Sequence, residues 1–158
     1  MADKNYLTRE GYQRIIGEMT ELTVEERPRI VREVATAAAE GDRSENSAYI
    51  YGKKRLREID RRLTFLKKRL RDAEVVDKPP TQPSKVVFGA TVDIEDEEGE
   101  LRVYRIVGVD EVDLKRGRIS WRSPVGRALL GKKAGDTVTV HAAGGERELV
   151  VVRVRWIE

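Results

Sequence analysis

Residues 53–73, KKRLREIDRRLTFLKKRLRDA, repeat an apolar residue every three or four positions. This spacing is typical of a coiled-coil seam, because residues three and four apart lie on one face of an α-helix. The stretch therefore predicts a long helix that packs against a second helix along one face. The seam consists of Leu56, Ile59, Leu63, Leu66, Leu70 and Ala73.

A second amphipathic segment precedes this helix and can serve as its partner. Its apolar residues recur at helical spacing over residues 12–22 and again over residues 30–37. Only a short connection around Gly41 separates the two segments, so the helices should run antiparallel. The numbers of two residues in contact should then sum to about 82, which pairs Met19 with Leu63. The N-terminal half therefore predicts an antiparallel coiled-coil hairpin.

The first helix has a predicted start and a predicted weak point. Thr8 is suited to cap its N-terminus, because a threonine hydroxyl can accept a hydrogen bond from the first turn. Pro28 lacks a backbone donor and clashes with the preceding turn, so we expect a bend or local loosening about halfway along the hairpin. Glu26 and Gly52 lie near apolar seam positions and should weaken the packing there.

The pattern changes at a proline cluster, residues 78–84, which predicts a linker. The hairpin then occupies residues 1–77, and residues 85–158 form a β-rich domain of short β-branched runs separated by glycine turns. Ser123 and Pro124 should begin a short helix within it. The fold class is α+β. The predicted strands are Val86–Ile94, Leu101–Val107, Ile119–Trp121, Thr137–His141 and Glu148–Trp156.

Several classes of function are excluded by composition. The chain has no cysteine, which rules out disulfides, zinc knuckles and thiol nucleophiles and fits a cytoplasmic protein. Its one histidine, His141, rules out a multi-histidine metal site and is expected to end a strand. No stretch approaches the length of a membrane span, so no membrane partner is expected. No glycine-rich phosphate loop appears, and Trp121 and Trp156 are expected in the core.

Charge is segregated along the 158 residues, although the formal net charge is only +3. Residues 10–45 carry five basic and nine acidic residues, whereas residues 53–71 carry ten basic and two acidic ones. One interpretation is a solvated helix face that the acidic helix partly neutralises. The other is a stripe that faces phosphates. The outward stripe consists of Lys54, Arg61 and Lys68, flanked by Lys53, Arg55, Arg62, Lys67 and Arg69.

The turn between the helices carries two carboxylates, Asp42 and Glu45. In one interpretation Asp42 is the N-cap and Glu45 the third helical residue of a capping-box-like pair. In the other, both carboxylates coordinate a divalent cation such as Mg²⁺, which prefers oxygen ligands. Two carboxylates cannot hold Mg²⁺ tightly by themselves, so a partner would supply the remaining ligands. Spacing alone leaves both interpretations open.

The same turn closely resembles that of the Gre transcript cleavage factors. The resemblance rests on residues 41–46, GDRSEN, on Tyr49 and on the basic run at residues 53–62, which is more similar to the GreB branch than to the GreA branch. It extends to the start of the chain and to the segment around Ser123 and Pro124, and so covers nearly the whole sequence. Ser47 and Ala48 stand where the family usually has an alanine and a further acidic residue.

The resemblance implies a function in transcription. A Gre factor binds bacterial RNA polymerase as a monomer, docks through an FKBP-like β-rich domain and inserts its coiled coil into the secondary channel. Asp42 and Glu45 would then help to hold a Mg²⁺ ion at the polymerase active site, where the polymerase cleaves the 3′ end of backtracked nascent RNA. Such a factor is not an enzyme by itself and binds no cofactor stably alone.

The resemblance also assigns roles to neighbouring residues. Ser44, Asn46 and Tyr49 would support the tip, and basic residues of the second helix would contact the extruded RNA or the channel. Two other functions stay open: a Gre-like secondary-channel binder that inhibits polymerase, and a coiled-coil module that binds RNA without polymerase. The expected contact residues are Lys53, Lys54, Arg55, Arg61, Arg62 and Lys68.

Overall fold

The computed structural model describes residues 4–41 and 45–157, and these form two compact units. One unit is helical and comprises Tyr12–Asp72. The other is β-rich and combines the N-terminal segment up to Gly11 with the chain from Ala73 onward. The sequence prediction placed residues 1–77 together in the hairpin, whereas the chain divides at Gly11 and Asp72.

The N-terminal segment belongs to the β-rich unit because it forms a strand there. Strand β1 (Asn5–Thr8) pairs in parallel with β2 (Ala73–Val76), with Asn5 opposite Ala73 and Thr8 opposite Val76. Neither strand was predicted from the sequence. Ala73, predicted as the last residue of the coiled-coil seam, instead begins β2, because the preceding helix ends at Arg71.

The helical unit is an antiparallel hairpin, as predicted. Its first arm contains α1 (Arg9–Thr20), a π-helical segment (Glu21–Glu26) and α2 (Arg27–Ala39), and the returning arm is α3 (Ser47–Arg71). The Thr8 hydroxyl accepts a hydrogen bond from the Gly11 N–H, which confirms the predicted N-cap of α1. The buried seam consists of Ile15, Leu22, Ile30 and Ala37 on the first arm and Gly52, Ile59 and Leu66 on α3.

The irregularity expected near Pro28 takes the form of the π-helical segment. Pro28 lies in the first turn of α2, directly after this segment, and has no N–H to donate back along the helix. Immediately before it, the Arg27 N–H donates to the Leu22 carbonyl, five residues back rather than four. The wider π turn accommodates the proline ring, which would clash with the carbonyl of a regular α-helical turn.

The weak packing predicted around Gly52 and Glu26 is not found. Gly52 is buried, and a Cβ added there would lie 2.4 Å from a methyl group of Val34, so the two arms approach closely at this glycine. Glu26 forms an ion pair across the hairpin with Arg55 at 2.5 Å. Both residues therefore hold the two arms together.

The β-rich unit contains a five-stranded sheet, which confirms the predicted mixture of helix and sheet. Its strands lie in the order β5-β4-β3-β7-β6, and all neighbours are antiparallel except β4 and β5. One face packs on α4 and a core that includes Val92, Ile94, Ile106, Leu129, Val140 and Val151. The elements are β3 (Thr91–Glu95), β4 (Leu101–Val107), β5 (Arg118–Ser120), α4 (Pro124–Leu129), β6 (Thr137–Ala142) and β7 (Gly145–Arg155).

The predicted strands agree with these elements, except that the first predicted strand begins five residues too early. Residues 86–90 were assigned to a strand, but β3 begins only at Thr91, because Gly89 adopts a positive φ of 89° and packs under the ring of Trp156. Trp156 and Trp121 are each half-buried, and Trp121 packs against the core cluster. The FKBP-like assignment stays a prediction. Within the described residues, no helix is long and apolar enough to cross a membrane.

Side chains anchor the N-terminal segment inside the β-rich unit. The ring of Tyr6 lies edge-on to Trp121, with ring centroids 5.2 Å apart. The buried carboxylate of Glu111 accepts hydrogen bonds from the Thr8 and Gly108 N–H groups at 3.0 and 2.9 Å, and from the Thr8 hydroxyl. The contacts of Tyr6 and Thr8 join residues more than a hundred positions apart, which explains why sequence patterns did not reveal them.

Candidate functional site

Asn46 closes the described part of the hairpin tip. Its side-chain oxygen accepts hydrogen bonds from the N–H groups of Ala48 and Tyr49 at 3.1 and 3.2 Å, so Asn46 is the N-cap of α3. Its amide nitrogen donates to the carbonyl of Ala37 at 2.9 Å. One side chain thus satisfies backbone groups at the start of α3 and near the end of α2, because the amide oxygen accepts while the amide nitrogen donates.

This geometry corrects the capping interpretation of the two tip carboxylates. Helix α3 begins at Ser47, so Glu45 precedes the cap and cannot be the third helical residue of a capping box. Glu45 is exposed to solvent. Asp42 and Ser44, the other predicted tip residues, lie outside the described residues. The structural role that competed with metal coordination is therefore removed for Glu45.

The chemistry of Glu45 suits coordination of a hard divalent cation together with ligands from elsewhere. The exposed carboxylate of Glu45 is the kind of oxygen ligand that Mg²⁺ prefers, but one or two carboxylates make an incomplete site. Among the residues that the structure describes, no three His, Asp or Glu side chains lie close enough together to hold a metal. Tyr49 is half-buried behind the tip, and its N–H is held by Asn46.

Two arginines of the predicted contact set are engaged within the hairpin. Arg55 pairs with Glu26 at 2.5 Å and with Glu58 at 3.3 Å, and Arg62 pairs with Glu18 at 2.6 Å. The hydrogen bonds from these arginines hold the pKa values of Glu26 and Glu18 below the ordinary range of glutamate. Arg55 and Arg62 therefore connect α3 to the acidic first arm.

The remaining cations of α3 form an uncompensated surface. Six of them are exposed and make no ion pair or hydrogen bond within residues 4–41 and 45–157. At 100° per residue they cover an arc of about 140° opposite the buried seam, over about 22 Å of helix. We call this surface the basic stripe. It consists of Lys53, Lys54, Arg57, Arg61, Lys67 and Lys68.

The two acidic residues inside this stretch do not neutralise the basic stripe, because Glu58 pairs with Arg55 and Asp60 pairs with Arg27 at 3.0 Å. The first arm thus compensates the flank of α3 and leaves its outward face charged. Sequence reasoning singled out four of the six residues as contacts and named Lys67 only as flanking. It missed Arg57, although its spacing from Lys54 and Arg61, three and four residues, places it on the same face.

Comparison with known proteins adds independent information. Residues 5–75 match the family described as "Transcription elongation factor, N-terminal", and residues 81–155 match "Transcription elongation factor, GreA/GreB, C-term". Transcription elongation factor GreB of Yersinia pestis is 52% identical over 156 residues, covering 99% of this chain and 91% of that protein. GreB of Haemophilus influenzae is 51% identical over 158 residues, covering 100% and 99%. The solved GreA factor homolog 1 (Gfh1) protein of Thermus thermophilus is 24% identical, with a TM-score of 0.43 and coverage of 97% and 99%.

Proposed function

Because this chain belongs to the GreA/GreB family of transcription elongation factors, we propose that it binds bacterial RNA polymerase in the cytoplasm and stimulates cleavage of backtracked RNA. The hairpin enters the secondary channel, and the β-rich unit docks outside it. The observation that carries this proposal is the tip, where Asn46 ties the two arms together and Glu45 stays exposed just before the cap. A carboxylate in that position is available to a partner.

In this proposal the protein contributes ligands and is not an enzyme by itself. Glu45, together with Asp42, offers carboxylate oxygens to a Mg²⁺ ion whose other ligands belong to the polymerase and the RNA. When bound, such an ion supplies charge stabilisation and an activated water for hydrolysis of the 3′ end of the nascent RNA. Asn46 holds the turn that presents Glu45, and Tyr49 packs behind it.

The basic stripe supports the same proposal. A protein that follows extruded RNA needs positive charge that its own acidic residues do not neutralise, and the outward face of α3 meets this requirement. Contacts from lysine and arginine to phosphates position a nucleic acid without reading its sequence. The protein acts as a monomer in this scheme, since one hairpin occupies one channel.

The direct test is RNA cleavage in purified, backtracked polymerase complexes with and without the protein. We expect the parent to shorten the RNA from its 3′ end. Glu45→Gln should abolish most of this activity while polymerase binding is unchanged, because an amide is a poor Mg²⁺ ligand. Glu40→Gln is the matched control, since Glu40 is an exposed glutamate near the end of the other arm and should tolerate the same change.

Other outcomes would identify the alternatives. Tight binding that slows elongation without cleavage would support an inhibitor of the secondary channel. RNA binding with no affinity for polymerase would support a free RNA-binding module. Equal cleavage by the parent and Glu45→Gln would refute the role of the carboxylate.

A further inference from the structure

Two aromatic side chains stand exposed on α3 beside the basic stripe. The side chain of Tyr51 is 64% exposed and that of Phe65 is 47% exposed. Each ring precedes a lysine of the stripe by three residues, Lys54 and Lys68 respectively, and residues three apart are neighbours on a helix surface. Neither ring takes part in the buried seam, so their placement is not explained by packing of the hairpin.

The ring of Phe65 is held in place by a cation. The guanidinium carbon of Arg62 lies 5.3 Å from the ring centroid, within the range of a cation–π contact. Arg62 is itself fixed by its ion pair with Glu18 on the first arm. The ring is therefore oriented by the hairpin, while about half of it stays open to solvent. Aromatic rings beside arginines are a common means of stacking unpaired RNA bases.

The spacing of the two rings matches the extent of the stripe. Fourteen residues separate Tyr51 from Phe65, which is nearly four helical turns and about 21 Å along the axis. The rings consequently lie within about 40° of each other around the helix. Lys54, Arg57 and Arg61 lie between them along the axis. A strand that follows these cations would meet one ring near each end.

We infer that Tyr51 and Phe65 stack bases of single-stranded RNA whose phosphates lie along the basic stripe. The six uncompensated cations favour binding of a polyanion such as a phosphate backbone. The two exposed rings beside them favour a polyanion that also carries planar groups, as the bases of RNA are. Stacking of this kind tolerates any base sequence, because every base has a π-face. The inference rests on the proposed function in one respect: the natural strand is the extruded 3′ segment of nascent RNA.

The test uses the full-length protein and a single-stranded oligoribonucleotide that carries 2-aminopurine, a fluorescent base quenched by stacking. At low salt the parent should quench the fluorescence as it binds. Tyr51→Leu and Phe65→Leu should each reduce the quenching at saturation and weaken binding about tenfold. Tyr51→Phe keeps a ring and should behave as the parent. Val31→Ala, which trims an exposed apolar side chain on the other arm, is the matched control.

Charge and stacking can be separated in the same titrations. Lys54→Gln and Lys68→Gln should weaken binding and reduce its salt dependence without changing the quenching at saturation. Circular dichroism of each variant checks that the hairpin remains helical, which is expected because all the altered residues are exposed. Unchanged quenching in the two leucine variants, or no quenching by the parent, would overturn the inference.

The cleavage assay run on the same protein keeps the two proposals apart. Quenching without cleavage would overturn the proposed function and leave stacking supported. Cleavage by the parent together with unquenched fluorescence would overturn stacking alone and leave the proposed function supported.

Discussion

Asn46 offers a sharp test of how the tip is held, because one side chain makes two separable interactions. Its oxygen caps α3, and its nitrogen donates to the Ala37 carbonyl. Losing the cap costs about 1 kcal/mol, and losing the bridging hydrogen bond costs about 1 kcal/mol more. We expect Asn46→Ala to destabilise the closed tip by about 2 kcal/mol, a factor of about 30 in the opening equilibrium.

Asn46→Asp separates the two interactions. An aspartate keeps the capping oxygen and adds a favourable charge at a helix N-terminus, worth about 0.3–1 kcal/mol. An ionised carboxylate cannot donate to the Ala37 carbonyl, so the bridge between the arms is lost. We expect the start of α3 to stay protected in this variant, whereas RNA cleavage falls because residue 46, next to Glu45, is no longer tied to the first arm.

Two measurements check this reasoning. Hydrogen exchange at the amides of Ala48 and Tyr49 reports the cap, and cleavage in backtracked complexes reports the presentation of Glu45. Ser47→Ala is the matched control, because Ser47 is exposed and takes no part in either interaction. The reasoning is refuted if Asn46→Asp loses amide protection as fully as Asn46→Ala, or if Asn46→Ala cleaves RNA as fast as the parent.

Three further perturbations probe the hairpin. Gly52→Ala should lower the melting temperature, because the added methyl group would overlap Val34 and such overpacking costs about 1–3 kcal/mol. Adding Val34→Ala to this variant should restore stability, as a double-mutant cycle would show. Replacing Lys54, Arg61 and Lys68 of the basic stripe by glutamine should make the plot of log affinity for single-stranded RNA against log salt concentration less steep, by about 0.7 per charge. The melting temperature should change little. The hydrogen bond from Arg55 lowers the pKa of Glu26, so this pair stabilises the hairpin at pH values above the ordinary glutamate pKa of about 4.3 and the contribution is lost as the pH falls further. Glu26→Gln should therefore make the melting temperature fall less steeply as the pH is lowered. An unchanged pH dependence would contradict the assignment.

The hairpin could be predicted from the sequence because its signal is local. Apolar residues repeat at the period of the α-helix over some twenty positions, and each repeat is informative without knowledge of its partner. The short connection then leaves antiparallel packing as the remaining arrangement. The five strands of the larger sheet were located for a similar reason, since β-branched runs between glycine turns have a short-range signature.

The site was predicted only in part, because its chemistry depends on which groups already have a hydrogen-bond or ion-pair partner within the protein. Spacing left Asp42 and Glu45 open as either a capping pair or cation ligands. Because α3 begins after Asn46, Glu45 is not part of a capping box, and residue order does not reveal which side chain reaches the backbone N–H groups. Spacing likewise treated Arg55 as one more exposed cation. Its pairing with Glu26 needs a residue twenty-nine positions away, which only the register of the hairpin supplies.

By itself, the sequence determined that a long amphipathic hairpin precedes a small β-rich unit and that positive charge collects on the returning helix. Tertiary structure decided that β1 belongs to the β-rich unit, where Glu111 holds Thr8, and which cations remain uncompensated. The physical reason is range. Periodicity and charge density are properties of neighbouring residues, whereas parallel strand pairing, burial of a carboxylate and ion pairing across a hairpin each join positions that are distant in the chain.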